Sequence, residues 1–312
     1  MGGFRCWWCE MKLTGMALQK RLGEAERSLH DCMLCPRACH VDRTLGERGF
    51  CGGGLLPLVH SACPHFGEEP PLVGSGGSGT IFFAGCNLGC VFCQNYRISH
   101  FREGLEVSHE ELAGAMCRLA RLGCHNINLV TPTHFIPQIL AALALAWDSG
   151  LSVPIVYNCG GYESVDALSL LDGVVDVYMP DIKMFDPIAA ERYCNAPDYG
   201  EAAKRAVREM RRQVGDLVLD GRGIASRGLL IRHLVMPGRV EDSVAVLDFI
   251  AAELGGNSYV NVMAQYRPLF KAADHPGIDR EITGGEYSEV LRHAAGIGLV
   301  RGMRDQWRDR WS

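Results

Sequence analysis

Three cysteines fall within eight residues, at Cys86, Cys90 and Cys93, with Phe92 before the last and Gly85 and Gly89 in the same run. Thiolates are the soft donors that iron–sulfur clusters demand, and a short glycine-containing loop lets three of them wrap one face of such a cluster. Three protein ligands leave one metal position open. By the logic known for zinc, an open position marks a catalytic site rather than a closed structural one. Phe92 is placed to shield the centre from water, which affects its potential. The spacing also admits a three-cysteine zinc site, or three buried cysteines on a strand-to-loop segment.

A second constellation precedes the first: Cys32-x2-Cys35-Pro36-x2-Cys39-x11-Cys51-Gly52. Four cysteines at such spacing can complete a tetrahedral zinc site or an auxiliary cluster, stapling a segment too poor in apolar residues to fold on core burial alone. Cys6 and Cys9, either side of Trp7-Trp8, form a weaker pair with metal or redox potential. Cys63, Cys117, Cys124, Cys159 and Cys194 read as small core residues, with Cys159 at a strand end that faces the proposed site. Ten of the fourteen cysteines lie in the first 93 residues, a crowding that scattered core positions do not explain.

The elements that must position these residues divide the chain in two. Residues 1–79 are rich in Cys, Gly and Pro and carry little periodicity beyond a helix over 17–30; the run from Gly74 to Gly79 closes them as a linker or a backbone-rich loop. Residues 80–312 alternate short apolar runs, at 80–84, 126–130, 153–157, 174–179, 229–235 and 258–263, with helical patterns at 108–122, 136–149, 163–171, 187–213, 241–254 and 284–296. Two helices open on capping boxes, Ser108 with Glu111 and Thr283 with Glu286. Six strand-then-helix units predict an α/β fold with a parallel sheet and right-handed crossovers. The strands are nearly all apolar, as strands buried on both faces require. Each is followed by polar or Gly/Pro residues: the Cys86–Cys93 loop, Thr131-Pro132-Thr133-His134, Asn158-Cys159-Gly160, Asp181-Ile182-Lys183, Met236-Pro237-Gly238 and Gln265-Tyr266. Ligands of parallel α/β folds sit at the carboxyl ends of the strands, so six such loops in order indicate one site.

Composition removes other classes. Of 312 residues 47% are hydrophobic, and the formal charge of −5 is small, which excludes a disordered chain. No apolar run approaches the ~20 residues of a membrane-spanning helix; the nearest, at 136–147, holds Pro137 and Gln138. Residues 1–10 show no apolar signal region, so metal or redox use of the cysteines in a cytoplasmic setting is expected over a disulfide framework. Mild acidity gives no reason to expect nucleic acid as a partner.

Cys-x3-Cys-x2-Cys with an aromatic before the last cysteine resembles the signature of radical S-adenosylmethionine (SAM) enzymes. The wider run from Gly79 to Tyr96 is similar to one branch, the pyruvate formate-lyase activating enzyme-like iron–sulfur proteins. The similarity continues through 131–134, 181–183, 232–238 and 265–268, so it covers essentially residues 32–300. The resemblance implies a partial (β/α)6 TIM-type barrel holding a [4Fe–4S] cluster at Cys86, Cys90 and Cys93. The open iron chelates the amino and carboxylate groups of SAM, and one electron cleaves the sulfonium to methionine and a 5′-deoxyadenosyl radical that abstracts hydrogen from a substrate. A barrel suits this, because the radical must be kept from water and from the wrong C–H bonds. A low-potential donor such as flavodoxin or ferredoxin is implied at the level of the family.

Lys183 and Arg232 match positions where activating enzymes contact SAM, and a cation there can pair with its carboxylate. Asn158, Thr131 and Thr133 are candidates to hydrogen-bond the ligand, whereas His134, His233 and His275 read as structural or solvent-facing. Three segments depart from the glycyl-radical activators. Residues 76–83 replace their Asp-Gly-Pro-Gly-Ile/Leu-Arg run, Thr131-Pro132-Thr133 replaces their Gly-Gly-Glu, and Met184 replaces their His. The substrate is therefore open between a protein glycyl or other backbone C–H and a small molecule or cofactor precursor. The competing class is a non-catalytic iron–sulfur or zinc protein for electron transfer or interaction, against which the six polar strand ends argue.

Overall fold

The computed structural model describes residues 15–303, so the Cys6 and Cys9 pair lies outside the described residues. Helix α1 (Gly15–Arg27) leads through a loop-rich stretch to strand β1 (Leu58–His65), a single helical turn α2 (Pro70–Val73) and β2 (Ser78–Phe83). After the cysteine loop come α3 (Tyr96–Ser99), β3 (Leu105–Glu106), α4 (His109–Arg121), β4 (Ile127–Val130), α5 (Ile136–Asp148) and β5 (Ile155–Cys159). The remainder runs α6 (Val165–Ser169), β6 (Val177–Pro180), α7 (Pro187–Cys194), α8 (Tyr199–Val214), β7 (Val218–Leu219), β8 (Ala225–Leu234), α9 (Val240–Phe249), β9 (Tyr259–Met263) and α10 (Gly284–Gly296).

Strands β2, β4, β5, β6, β8 and β9 pair in that order, every pair parallel, which is the partial (β/α)6 TIM-type barrel. The six apolar runs read from the sequence are these six strands, displaced by a few residues. Their burial explains the composition: all of β5 and β6 is buried, as strands covered by helices on one face and by barrel interior on the other must be. Leu140 and Leu143 of α5, Met116 of α4 and Ile127 and Leu129 of β4 belong to the main core between sheet and helices. Both capping boxes form: Ser108 Oγ accepts from the Glu111 amide at 3.2 Å and Thr283 Oγ1 from the Glu286 amide at 3.2 Å. Among the described residues no helix is long and apolar enough to cross a membrane.

Three details differ from the sequence reading, and one alternative is decided. Strand β1 was not expected; it adds antiparallel to the outer edge of β2, and β3 adds to β1. Its Pro64 and mostly exposed residues give no alternating pattern to read. Cys63, on this strand, is exposed rather than a core residue. The helix expected over 187–213 is two helices, because Asn195 ends α7 in the left-handed conformation (φ 53°) and Pro197 follows. The Gly74–Gly79 run is the backbone-rich loop of the two readings: a methyl group at Gly76 would stand 2.1 Å from the Gly123 carbonyl oxygen.

The amino-terminal stretch packs on the barrel. Helix α1 lies against α5, and Ala25, Cys32 and Leu34 join the main core. Replacing Ser108 by Ala removes the cap that starts α4 and is predicted to cost about 1 kcal/mol. A urea midpoint equal to that of the wild type contradicts this.

Candidate functional site

The carboxyl ends of all six parallel strands open into one cavity of about 270 Å³. Cys86, Cys90 and Cys93 form one wall; Asn158, Asp181, Lys183 and Arg232 stand on others, with Thr131 after β4 and Gln265 after β9. The sequence-predicted residues Asn158, Lys183 and Arg232 are thus brought together with the cysteine triplet. Phe92 is buried beside them, its ring centroid 6.0 Å from that of Tyr266.

The cysteine loop is tied down on several sides. The amides of Gly89 and Val91 donate to the last carbonyls of α7, at Cys194 and Tyr193, both at 2.9 Å. Those carbonyls lack helical partners, so the loop caps the helix as the helix fixes the loop. The Lys271 amide bonds the Val91 carbonyl at 2.9 Å, which closes the loop after β9 over the same segment. Gly85 turns the chain at φ 86°, and a methyl group there would meet the Cys51 carbonyl oxygen at 2.4 Å, so only glycine fits. Cys90 Sγ lies 3.6 Å from Cys194 Sγ and Cys93 Sγ lies 3.1 Å from Ser99 Oγ. Neither Cys194 nor Ser99 was picked out as a site neighbour from the sequence; no local pattern marks them.

All three thiols sit above their ordinary range. Burial raises those of Cys86 and Cys93, and the Cys194 contact together with burial raises that of Cys90. Metal binding must therefore displace protons from them. Three soft sulfur donors on one wall, facing a cavity with polar groups opposite, fit a three-ligand iron–sulfur cluster with one side open. These donors would hold the cluster, and the cavity would hold whatever its open side binds.

Asp181 organises the opposite wall. Its Oδ2 accepts from Lys183 Nζ at 2.9 Å and its Oδ1 from Arg232 Nε at 2.7 Å. Burial pushes this carboxyl up, but Arg232 and Lys183 outweigh it and hold the group down at about 2. Beyond Asp181, one terminal nitrogen of Arg232 donates to Asn158 Oδ1 at 2.8 Å, and the other lies 3.7 Å from Glu68 and 3.8 Å from Glu69. Glu68 and Glu69 were not singled out from the sequence, because they lie between α2 and β1, a strand that no apolar run marks. An ammonium carries three donors, so Lys183 keeps capacity for a ligand. Asn158 likewise keeps its amide NH2, since the Arg232 bond uses its oxygen.

Thr131 and Thr133 part company. Thr131 lines the cavity in the left-handed region (φ 57°), a costly conformation for a β-branched residue, held where its amide bonds the Asn158 carbonyl at 2.8 Å. Thr133 is buried and donates to Glu163 Oε1 at 2.8 Å, so it is not a ligand group. Burial raises Glu163 to about 7, against the hydrogen bonds from Thr133 and Tyr157. His134 and His233 are buried and structural: burial lowers both, His134 to about 4, and they bond the Ala84 and Ile182 carbonyls. Cys117, Cys124, Cys159 and Cys194 are buried as expected, and Cys159 lines the cavity.

Comparison with known proteins agrees with this geometry. The model of the radical SAM superfamily matches residues 80–250. The uncharacterized protein MJ0674 of Methanocaldococcus jannaschii is 34% identical over 285 residues, covering 88% of this chain and 77% of that protein. A second uncharacterized protein of that organism, MJ0808, is 24% identical over 304 residues, covering 88% of this chain and 79% of its own length. The crystal structure of methylornithine synthase is similar over 92% of this chain and 72% of that one, at 14% identity and a TM-score of 0.47.

Replacing Asp181 by Asn leaves two cations without their shared carboxylate and is predicted to cost about 3 kcal/mol near neutral pH. Because the folded carboxyl lies below its ordinary 3.8, its stabilisation is present above that value and is lost as pH falls through about 2. The gap between wild-type and variant urea midpoints should therefore narrow as the solution is acidified. A gap that is absent at neutral pH, or that widens in acid, contradicts the ion network.

Proposed function

This chain belongs to the radical SAM superfamily, whose members are enzymes that use a [4Fe–4S] cluster and SAM, and on that premise we propose that Cys86, Cys90 and Cys93 bind the cluster and that the cavity beside them binds SAM. The observation that carries this is the convergence of the triplet with Asn158, Lys183 and Arg232 in one cavity at the strand ends. A cluster held there by Cys86, Cys90 and Cys93 would supply the one-electron reductive cleavage of SAM that family members use for hydrogen abstraction. Lys183 pairs with the carboxylate of SAM through the donors that Asp181 leaves free. Asn158 donates its amide NH2 to the ligand. Arg232 holds Asn158 and Asp181 in place, and its other terminal nitrogen, 3.7 Å from Glu68 and 3.8 Å from Glu69, keeps donors for the ligand. Phe92 and Tyr266 keep water from the reacting end.

Within this reading the enzyme is an activating-enzyme-like oxidoreductase whose substrate is a backbone C–H of a protein partner, as the resemblance of the Gly79–Tyr96 run supports. A small-molecule or cofactor precursor is the alternative substrate. A one-electron protein donor of the flavodoxin or ferredoxin class and a cytoplasmic setting belong to the same proposal. Residues 80–312 carry the radical chemistry, and residues 1–79 carry a second metal at Cys32, Cys35, Cys39 and Cys51.

The test is anaerobic turnover of the reconstituted chain with dithionite and SAM. Formation of 5′-deoxyadenosine is expected; Cys86→Ala should abolish it, and Lys183→Ala should lower it about tenfold or more through loss of a charge-assisted hydrogen bond. A fully iron-loaded preparation that never forms 5′-deoxyadenosine overturns the proposal. With deuterated cell extract, label entering 5′-deoxyadenosine from the macromolecular fraction supports a protein substrate, and label from the small-molecule fraction replaces it.

A further inference from the structure

A buried cation with no carboxylate lies against the amino-terminal cysteines. Arg43 is 2% exposed, the largest of the fully buried side chains. Its guanidinium donates to the His134 carbonyl at 2.5 Å and to Cys32 Sγ at 3.0 Å, and lies 3.8 Å from Cys51 Sγ. Among the described residues its Nε has no partner and no Asp or Glu pairs with it. A guanidinium cannot shed its charge in a protein, and an uncompensated buried charge is far too costly to keep. Among the described residues the other polar groups it touches are the sulfurs of Cys32 and Cys51, which are therefore placed to carry the compensating charge. Neutral thiols do not supply it. Thiolates bound to a metal centre do, because four of them outweigh the positive charge of the metal core.

The same cysteines repeat the local geometry of the catalytic triplet. The Gly53 amide donates to Cys51 Sγ at 3.4 Å, and the Leu88 amide donates to Cys86 Sγ at 3.4 Å, each from two residues downstream. Amides aimed at sulfur favour the thiolate and tune the metal it binds. Ala38 and His40, between Cys35 and Val41, are held at positive φ (41° and 53°), strain that a merely connecting loop would not keep. The amide-to-sulfur geometry shared with the triplet favours the same soft iron–sulfur chemistry at this second group.

We infer that Cys32, Cys35, Cys39 and Cys51 bind a second iron–sulfur cluster whose buried counter-charge is Arg43. This deepens the proposed second metal by naming its chemistry, and it does not depend on the triplet. The site abuts the catalytic loop: the Cys51 carbonyl packs on Gly85, and Arg37 Nε donates to the Asn87 carbonyl at 2.9 Å.

The test counts iron and acid-labile sulfide in the full chain reconstituted anaerobically. The Cys86→Ala, Cys90→Ala, Cys93→Ala triple variant should keep about four of each per chain, half the wild-type content. Zinc without iron in that variant, or no metal at all, overturns the cluster. The Cys32→Ser, Cys35→Ser, Cys39→Ser, Cys51→Ser variant should keep the other half; if it alone loses all iron, the catalytic reading fails and this one stands. In the triple variant, Arg43→Gln should move the reduction midpoint of the remaining cluster to more negative potential, since the cation favours the reduced form, and Arg43→Lys should move it less. An unchanged midpoint in Arg43→Gln overturns the role of Arg43.

Discussion

Six strands paired in parallel can present their carboxyl ends only at one rim, and that constraint places everything else in this molecule. Residues as distant in sequence as Cys86 and Gln265 line one cavity because each follows a parallel strand. The helices between strands bury the outer face and the fully apolar strands need no second pattern. What varies between proteins with this architecture is the set of loops at the rim, so function must be argued from those loops alone.

At the rim, charge decides which residues remain free to act. Asp181 neutralises Lys183 and Arg232 together, and Glu68 and Glu69 add further negative charge beside Arg232. Of two cations that looked equivalent in the sequence, Arg232 ties Asp181 to Asn158 while Lys183 binds Asp181 alone, and both line the cavity with donors to spare. The triplet loop is held by backbone bonds to α7 and to the loop after β9, which fix the segment that presents the three sulfurs.

Much of this was legible before any coordinates. The strands announced themselves because burial on both faces demands continuous apolar runs, and both capping boxes formed because their residues carry the mechanism locally. The convergence of Asn158, Lys183 and Arg232 followed from their places at the carboxyl ends of strands. What the sequence could not show were contacts between remote segments: the half-exposed β1, the Glu68 and Glu69 pair, the Cys194 thiol beside Cys90, and Arg43 under the amino-terminal cysteines. None of these has a periodicity or a spacing. Each exists because tertiary packing brings together residues that local chemistry leaves unmarked, and Thr133 shows the converse, a residue in the right loop turned away to satisfy Glu163.

The central claim is that the triplet and the strand-end cavity form one site in which SAM meets the cluster. Electron–nuclear double resonance of the reduced chain, with SAM labelled at the amino nitrogen and the carboxylate, tests that contact directly. The account predicts hyperfine coupling to both labels in the wild type and none in Cys86→Ala. A reduced cluster whose spectrum is unchanged by SAM, with no coupling to either label, contradicts it.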